Sequence, residues 1–141
     1  FSDGASSTAS ATVTGLANST AYTFRVSAVN AAGTGTASTT SATTASAPEA
    51  PTSLTWNSDW PLVEVSWTVP SDGGSPLTAH VVEYSSDAGE TWMTGPYVSP
   101  NVTSIWLGGF VLGTAYLVRV AAVNVVGTGN YSDNLSTPPV E

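Results

Sequence analysis

Asp87 and Glu90 stand three residues apart in the run Ser85-Ser86-Asp87-Ala88-Gly89-Glu90-Thr91-Trp92, a spacing that suggests acid–base or cation-binding chemistry. Calcium needs about six to eight oxygens from a loop of regular ligand spacing, and Asp72, Asp87 and Glu90 do not provide one. The order of residue types suits a hairpin better, with Asp87 bonding local backbone, Gly89 at positive φ and Trp92 packed over the turn. His80 is the sole histidine and the one side chain poised to act as a general base near neutral pH. No serine elbow or carboxylate pattern accompanies it, and its strand parity points inward, so it is expected as a packed core residue. With no cysteine in the chain, thiol chemistry, disulfides and cysteine-ligated metals are excluded. Gly33, Gly35, Gly127 and Gly129 follow strand-like runs and precede more strand, which is not the context of a phosphate loop or dinucleotide fingerprint. No catalytic residue, cofactor or metal site is expected, and the chain reads as a non-enzyme.

Flat aromatic faces offer a different chemistry, since sugar rings stack on them. Trp106 lies between Ile105 and Leu107, so it faces outward if those two face the core, while Trp60, Trp92 and Tyr97 fall in or near loops. These four form a candidate ligand platform; the alternative is that Trp106 covers an outer sheet face or a neighbouring domain. The charge balance limits the ligand. Ten carboxylates stand against two arginines and no lysine in 141 residues, for a formal net charge of -8. Arg25 and Arg119 cannot build the basic stripe that displaces counterions, so nucleic acid is excluded as a partner. An anionic membrane surface is disfavoured for the same reason, and no apolar run approaches the roughly 18 residues of a membrane-inserted helix.

The elements that must position these groups are short strands. Val63-Glu64-Val65-Ser66-Trp67 alternates with period two, as do Tyr22, Phe24, Val26 and Ala28 against Thr23, Arg25 and Ser27. Further short runs at 54–56, 80–85, 105–107 and 116–124 are separated by Gly, Pro, Asp and Ser clusters, and no sustained helical period occurs. About seven such strands in about 90 residues predict an antiparallel sandwich. The alternation sends Val63, Val65, Trp67, Val82, Tyr84, Phe110, Tyr116, Val118 and Val120 inward. Loss of Trp67 from such a core is expected to cost about 3–5 kcal/mol.

The chain also repeats itself. Thr20-Ala21-Tyr22-Thr23-Phe24-Arg25-Val26 through Asn30 and Gly33 returns as Thr114-Ala115-Tyr116-Leu117-Val118-Arg119-Val120 through Asn124 and Gly127, at a constant offset of 94 residues. Residues 43–51, rich in Thr, Ala and Pro, read as a short semi-extended linker between copies.

This ordered series resembles the fibronectin type III domain. Pro51 and Leu54 match the opening of the family's first strand, and Trp67 its core tryptophan on the second. Asp72-Gly73-Gly74 resembles the turn before the third strand, where His80-Val81-Val82-Glu83-Tyr84 is similar to the family's Tyr-x-Val-x-Tyr pattern, with His80 a departure from it. Gly109-Phe110 followed by Tyr116, paralleled by Gly15-Leu16 followed by Tyr22, resembles the tyrosine corner. Ser85 to Trp92 is similar to the Asp-box hairpin of sialidase propellers, where the motif is structural. The resemblance implies an all-β fold, an antiparallel immunoglobulin-like β-sandwich in tandem, with Trp67, Tyr84, Tyr116 and Tyr22 as structural core residues. Its composition resembles bacterial or phage members of the family.

Residues 48–141 are expected to form one complete domain and residues 1–47 the C-terminal half of another, its last three strands. That leaves Val13, Leu16, Tyr22, Phe24, Val26 and Ala28 without facing strands, expected from residues upstream of Phe1 in a longer repeat array or from another polypeptide. The expected role is a non-catalytic spacer and interaction module of an extracellular or virion-surface protein, in adhesion or assembly. Its partners would be neighbouring domains of the same polypeptide or assembly proteins, with polysaccharide as a further candidate. Two alternatives stay open: a carbohydrate-binding accessory module of a secreted polysaccharide-degrading enzyme, and a self-assembling subunit that uses strand complementation.

Overall fold

The computed structural model describes residues 10–59 and 61–139, so the expectation attached to Trp60 lies outside the described residues. The chain divides into two compact units between Ala45 and Ser46.

The front unit holds strands β1 (Ala21–Val26), β2 (Val29–Asn30), β3 (Gly33–Thr34) and β4 (Ser38–Thr43). β1 pairs antiparallel with β4 from Ala21 opposite Thr43 to Val26 opposite Ser38, and β2 pairs with β3 at the turn between them. The alternation of Tyr22 and Phe24 with Thr23 and Arg25 puts the two rings on one face, 6.3 Å apart. They are half-buried, and Val26 remains 70% exposed. Residues 10–20 form no strand, although Ala11–Val13 correspond at the 94-residue offset to Ile105–Leu107. The reason lies in the rear unit, where that segment pairs with a single neighbour whose counterpart is absent among the described front residues.

The rear unit holds β5 (Thr52–Asp59), β6 (Leu62–Thr68), β7 (Leu77–Ser85), β8 (Met93–Val98), β9 (Ser104–Leu107), β10 (Leu117–Asn124) and β11 (Leu135–Ser136). Two antiparallel sheets result, ordered β5-β6-β9 and β11-β10-β7-β8. Inward-facing residues alternate along β6, β7 and β10: Val63, Val65 and Trp67 from one sheet meet Val82, Val118 and Val120 from the other in a continuous core closed by Leu107, Phe110 and Tyr116. Burial of these apolar side chains, at roughly 25 cal/mol per Å², is the main force holding the two sheets together. Periodicity did not mark β8, because Gly95 and Pro96 interrupt its alternation. The strand sits at the sheet edge with β7 as its one neighbour, where a residue without an amide hydrogen removes no necessary ladder bond.

The boundary between the two units falls inside the stretch 43–51, whose backbone is hydrogen-bonded within the unit on each side. Thr44 N–H donates to the Thr20 carbonyl at 3.0 Å within the front unit, while Ser46 N–H donates to Gly73 and Glu49 N–H to Ser71 within the rear unit. Pro48 and Pro51 are buried there. Backbone amides in an extended proline-bearing segment still need acceptors, and the turn before β7 supplies them.

Candidate functional site

Asn124, at the end of β10, fastens three segments of the rear unit together. Its Nδ2 donates to the carbonyls of Ser46 at 2.7 Å and Asp72 at 2.8 Å, and its Oδ1 accepts from Val126 N–H at 2.8 Å and Gly127 N–H at 3.2 Å. Every polar valence of this buried carboxamide is used. The front unit repeats the local half of the arrangement: Asn30 Oδ1 accepts from Ala32 N–H at 2.9 Å, and Gly35 N–H donates to Ala28 as Gly129 N–H donates to Ala122. The tyrosine hydroxyls correspond as well, Tyr22 accepting from Ala17 N–H at 3.0 Å and Tyr116 from Val111 N–H at 3.1 Å. Tyr116 is 6% exposed with its ring 4.5 Å from that of Phe110, and Tyr84 lies edge-on to both.

The hairpin joining β7 to β8 is built by two side chains. Ser85 Oγ donates to Asp87 at 2.6 Å and accepts from Gly89 N–H at 2.9 Å, and the Asp87 carboxylate accepts from Thr91 N–H at 2.9 Å. Gly89 has φ +93, the left-handed region where a Cβ is penalised. Hydrogen bonds from the Ser85 hydroxyl, then from Thr91, hold the Asp87 carboxyl down to about 2. Asp87 is thus a committed backbone acceptor in a turn rather than half of an acid–base pair with Glu90.

Above this hairpin, the outer face of the four-stranded sheet carries a cluster that joins four segments of the chain. Arg119 Nε and Nη2 donate to Glu83 Oε2 at 2.9 and 2.7 Å, and the guanidinium carbon lies 3.8 Å from the Trp92 ring centre and 4.2 Å from that of Tyr131. Burial pushes the Glu83 carboxyl up, but the hydrogen bonds of Arg119 and Tyr131 outweigh it and leave the group below its ordinary value. Burial, then the bond to Glu83, raises the Tyr131 hydroxyl to about 12. Each planar cation–ring contact of this kind contributes roughly 0.5–2 kcal/mol. One face of Trp92 is therefore occupied by Arg119, and that ring ties the hairpin to β10.

The other candidate aromatics are dispersed. Tyr97 is on β8 of this same sheet, 64% exposed and opposite Val81, whereas Trp106 is on β9 of the other sheet, 44% exposed. Trp92 and Tyr97 share a face and Trp106 belongs to another, so these three residues do not form one platform. On its own face Trp106 lies opposite Glu64 of β6, which lies opposite Asn57 of β5. Neither companion stood out in the sequence as a binding residue, although the outward parity of Glu64 between Val63 and Val65 was visible there.

His80 is fully buried, with its ring 5.4 Å from that of Trp67. Neither ring nitrogen has a hydrogen-bond partner, nor does the Trp67 indole nitrogen. Burial lowers the His80 pKa, and the Ser99 backbone, outside hydrogen-bond geometry, pulls weakly the other way. A neutral ring beside an indole is what an uncharged pocket accepts. Among the described residues, no group of three or more His, Asp or Glu side chains is placed to hold a metal ion, and no helix is long and apolar enough to cross a membrane.

Two facing antiparallel sheets of three and four strands, with the tyrosine hydroxyl bonded upstream of β10, define an immunoglobulin-like β-sandwich. The family model described as fibronectin type III domain matches residues 2–44 and again 46–138. The chain belongs to the fibronectin type III family. It is similar to Protein sidekick-1 of Gallus gallus, 36% identical over 74 residues that make up 52% of this chain and 3% of that protein. It is also similar to the human cell adhesion molecule DSCAM, 34% identical over 71 residues, which is 50% of this chain and 4% of that protein. Among solved structures, titin domains A168–A170 superpose with a TM-score of 0.63 at 25% identity, over 74% of this chain and 37% of that one. The chain thus spans a small fraction of the curated relatives it matches.

Proposed function

We propose that this chain is a non-catalytic spacer and interaction module of a larger extracellular protein, cell-bound, secreted or on a virion surface, which works in adhesion or assembly. The observation that carries this is family membership together with a relative that is itself named a cell adhesion molecule. The chemistry described above agrees with it. Of the groups described above, Asp87 and Glu83 are engaged in local hydrogen bonds, Arg119 is paired with Glu83, and His80 is buried in the core. Partners on this account are neighbouring domains of the same polypeptide or assembly proteins.

The organisation we propose is a complete sandwich over residues 48–141 and the C-terminal half of a second over residues 1–47. Support comes from the hydrogen bonds that recur at the 94-residue offset, and from β1, whose counterpart β10 pairs on both edges while β1 pairs with β4 alone among the described residues. Strands equivalent to β6 and β7 would cover Tyr22 and Phe24.

The test is attachment. Beads coated with the full chain are expected to cluster with one another or to attach to cells above the level of beads coated with the Trp67→Ala chain, whose core is broken. Attachment no greater than that control in both formats would overturn the adhesive role.

A further inference from the structure

The outer face of the three-stranded sheet carries one exposed aromatic in a row with two hydrogen-bonding side chains. Pairing fixes the row: Trp106 of β9 is opposite Glu64 of β6, and Glu64 is opposite Asn57 of β5. Val63, Val65, Ile105 and Leu107 face the core, so the alternating residues between them all face out. The row is three strands wide, roughly 10 Å from end to end. Among the described residues, none of these three side chains has a hydrogen-bond, ion-pair or ring partner. They contrast with Trp92, whose ring is engaged by Arg119.

We propose that Trp106, Glu64 and Asn57 form a binding row for a neutral pyranose chain, with one sugar stacked on the indole and the hydroxyls of the next bonded to the carboxylate and carboxamide. The choice of ligand follows from the neighbours. The row on one side is Ser104, Ser66 and Thr55, hydroxyl groups throughout, and on the other side the exposed Leu62 stands opposite Asp59. With the carboxylates of Glu64 and Asp59 among its hydroxyl groups, this face lacks the charge-depleted centre of a protein interface. It does have what a polyol needs: a flat apolar surface for the C–H side of a ring beside acceptors and donors for its hydroxyls. The carboxylate is an acceptor that forms charge-assisted bonds to hydroxyl groups. Neither arginine of the chain belongs to this face, Arg119 lying on the other sheet and Arg25 in the front unit, so phosphorylated, sulfated and uronic sugars meet a carboxylate without a balancing cation.

This site goes beyond the adhesive role proposed above and fails independently of it. The test is a titration of the full chain with neutral hexasaccharides (cellohexaose, xylohexaose, mannohexaose and laminarihexaose) by calorimetry, with polygalacturonic acid as the anionic comparison. At least one neutral chain is expected to bind, about tenfold or more weaker for Trp106→Ala, close to wild type for Trp106→Tyr, and unchanged for Trp92→Phe. An unshifted melting temperature in Trp106→Ala distinguishes a lost site from a lost fold. Absence of binding across the neutral panel, equal binding by Trp106→Ala, or equal affinity for polygalacturonic acid would each overturn the proposal while leaving the bead-attachment result untouched.

Discussion

His80 is buried where desolvation of a protonated imidazole outweighs the pull of the Ser99 backbone, and that sets a pH dependence. Burial lowers its folded-state pKa below the ordinary value of 6.5, to which the unfolded chain returns. As pH falls through about 6.5, the unfolded state takes up a proton that the folded state resists, so stability declines on acidification. The urea midpoint of the full chain is expected to drop between pH 7.5 and 5.5, and the drop to shrink in His80→Tyr, which places at this position the residue more usual in the family. An equal drop in both proteins would show that another group is responsible. Its neighbour Trp67 is 4% exposed and touches both sheets' side chains in the core, so Trp67→Ala is expected to lower the unfolding free energy by about 3–5 kcal/mol in the same assay. The inward position of both residues was legible from parity alone. That their three ring nitrogens would have no partner was not, because satisfaction of a polar atom depends on neighbours brought from other strands.

At the scale of elements, the turn after β10 tests how the repeat is built. Gly129 N–H donates to Ala122, and a Cβ at Gly129 would collide with the Pro48 carbonyl, backbone that is itself held by the surrounding hydrogen bonds. Its counterpart Gly35 makes the same bond to Ala28, yet a Cβ there meets that carbonyl at an ordinary 3.5 Å and nothing closer. Gly129→Ala is therefore expected to destabilise the chain by about 1–3 kcal/mol and Gly35→Ala to leave the urea midpoint unchanged. Identical effects would mean that the close approach of residues 46–49 does not govern the turn. The repeat in the sequence identified both turns, and alternation identified β6, β7 and β10. The contact with Pro48 was hidden, because the Thr/Ala/Pro composition of 43–51 has the look of a linker and its amides find their acceptors some 25 residues away in the turn before β7. β8 was hidden by Gly95 and Pro96, which an edge strand tolerates. The Arg119 cluster was hidden for a third reason: Glu83, Trp92, Arg119 and Tyr131 come from separate elements, and only the pairing of β7 with β10 brings the ion pair together. The outward Trp106 was readable from its neighbours, whereas Glu64 and Asn57 join it only once the β5-β6-β9 register is known.

At the scale of the whole molecule, the two units differ in what they bury. The rear unit encloses Val63, Val65, Val82, Val118 and Val120 between two sheets at no more than 1% exposure, while Tyr22 and Phe24 at equivalent positions to Tyr116 and Val118 stay half-buried on a hairpin. A two-stranded hairpin is marginal in water by itself, so on the organisation proposed above the stability of the chain is expected to reside in the sandwich. Residue-resolved hydrogen exchange of the full chain tests this most directly. The amides of Val65, Val82 and Val118 are expected to exchange only through global unfolding, at least about a hundredfold more slowly than those of Tyr22 and Phe24, which open locally. Protection in β1 equal to that in β10 would contradict it, and would mean that the front unit already holds a core of its own.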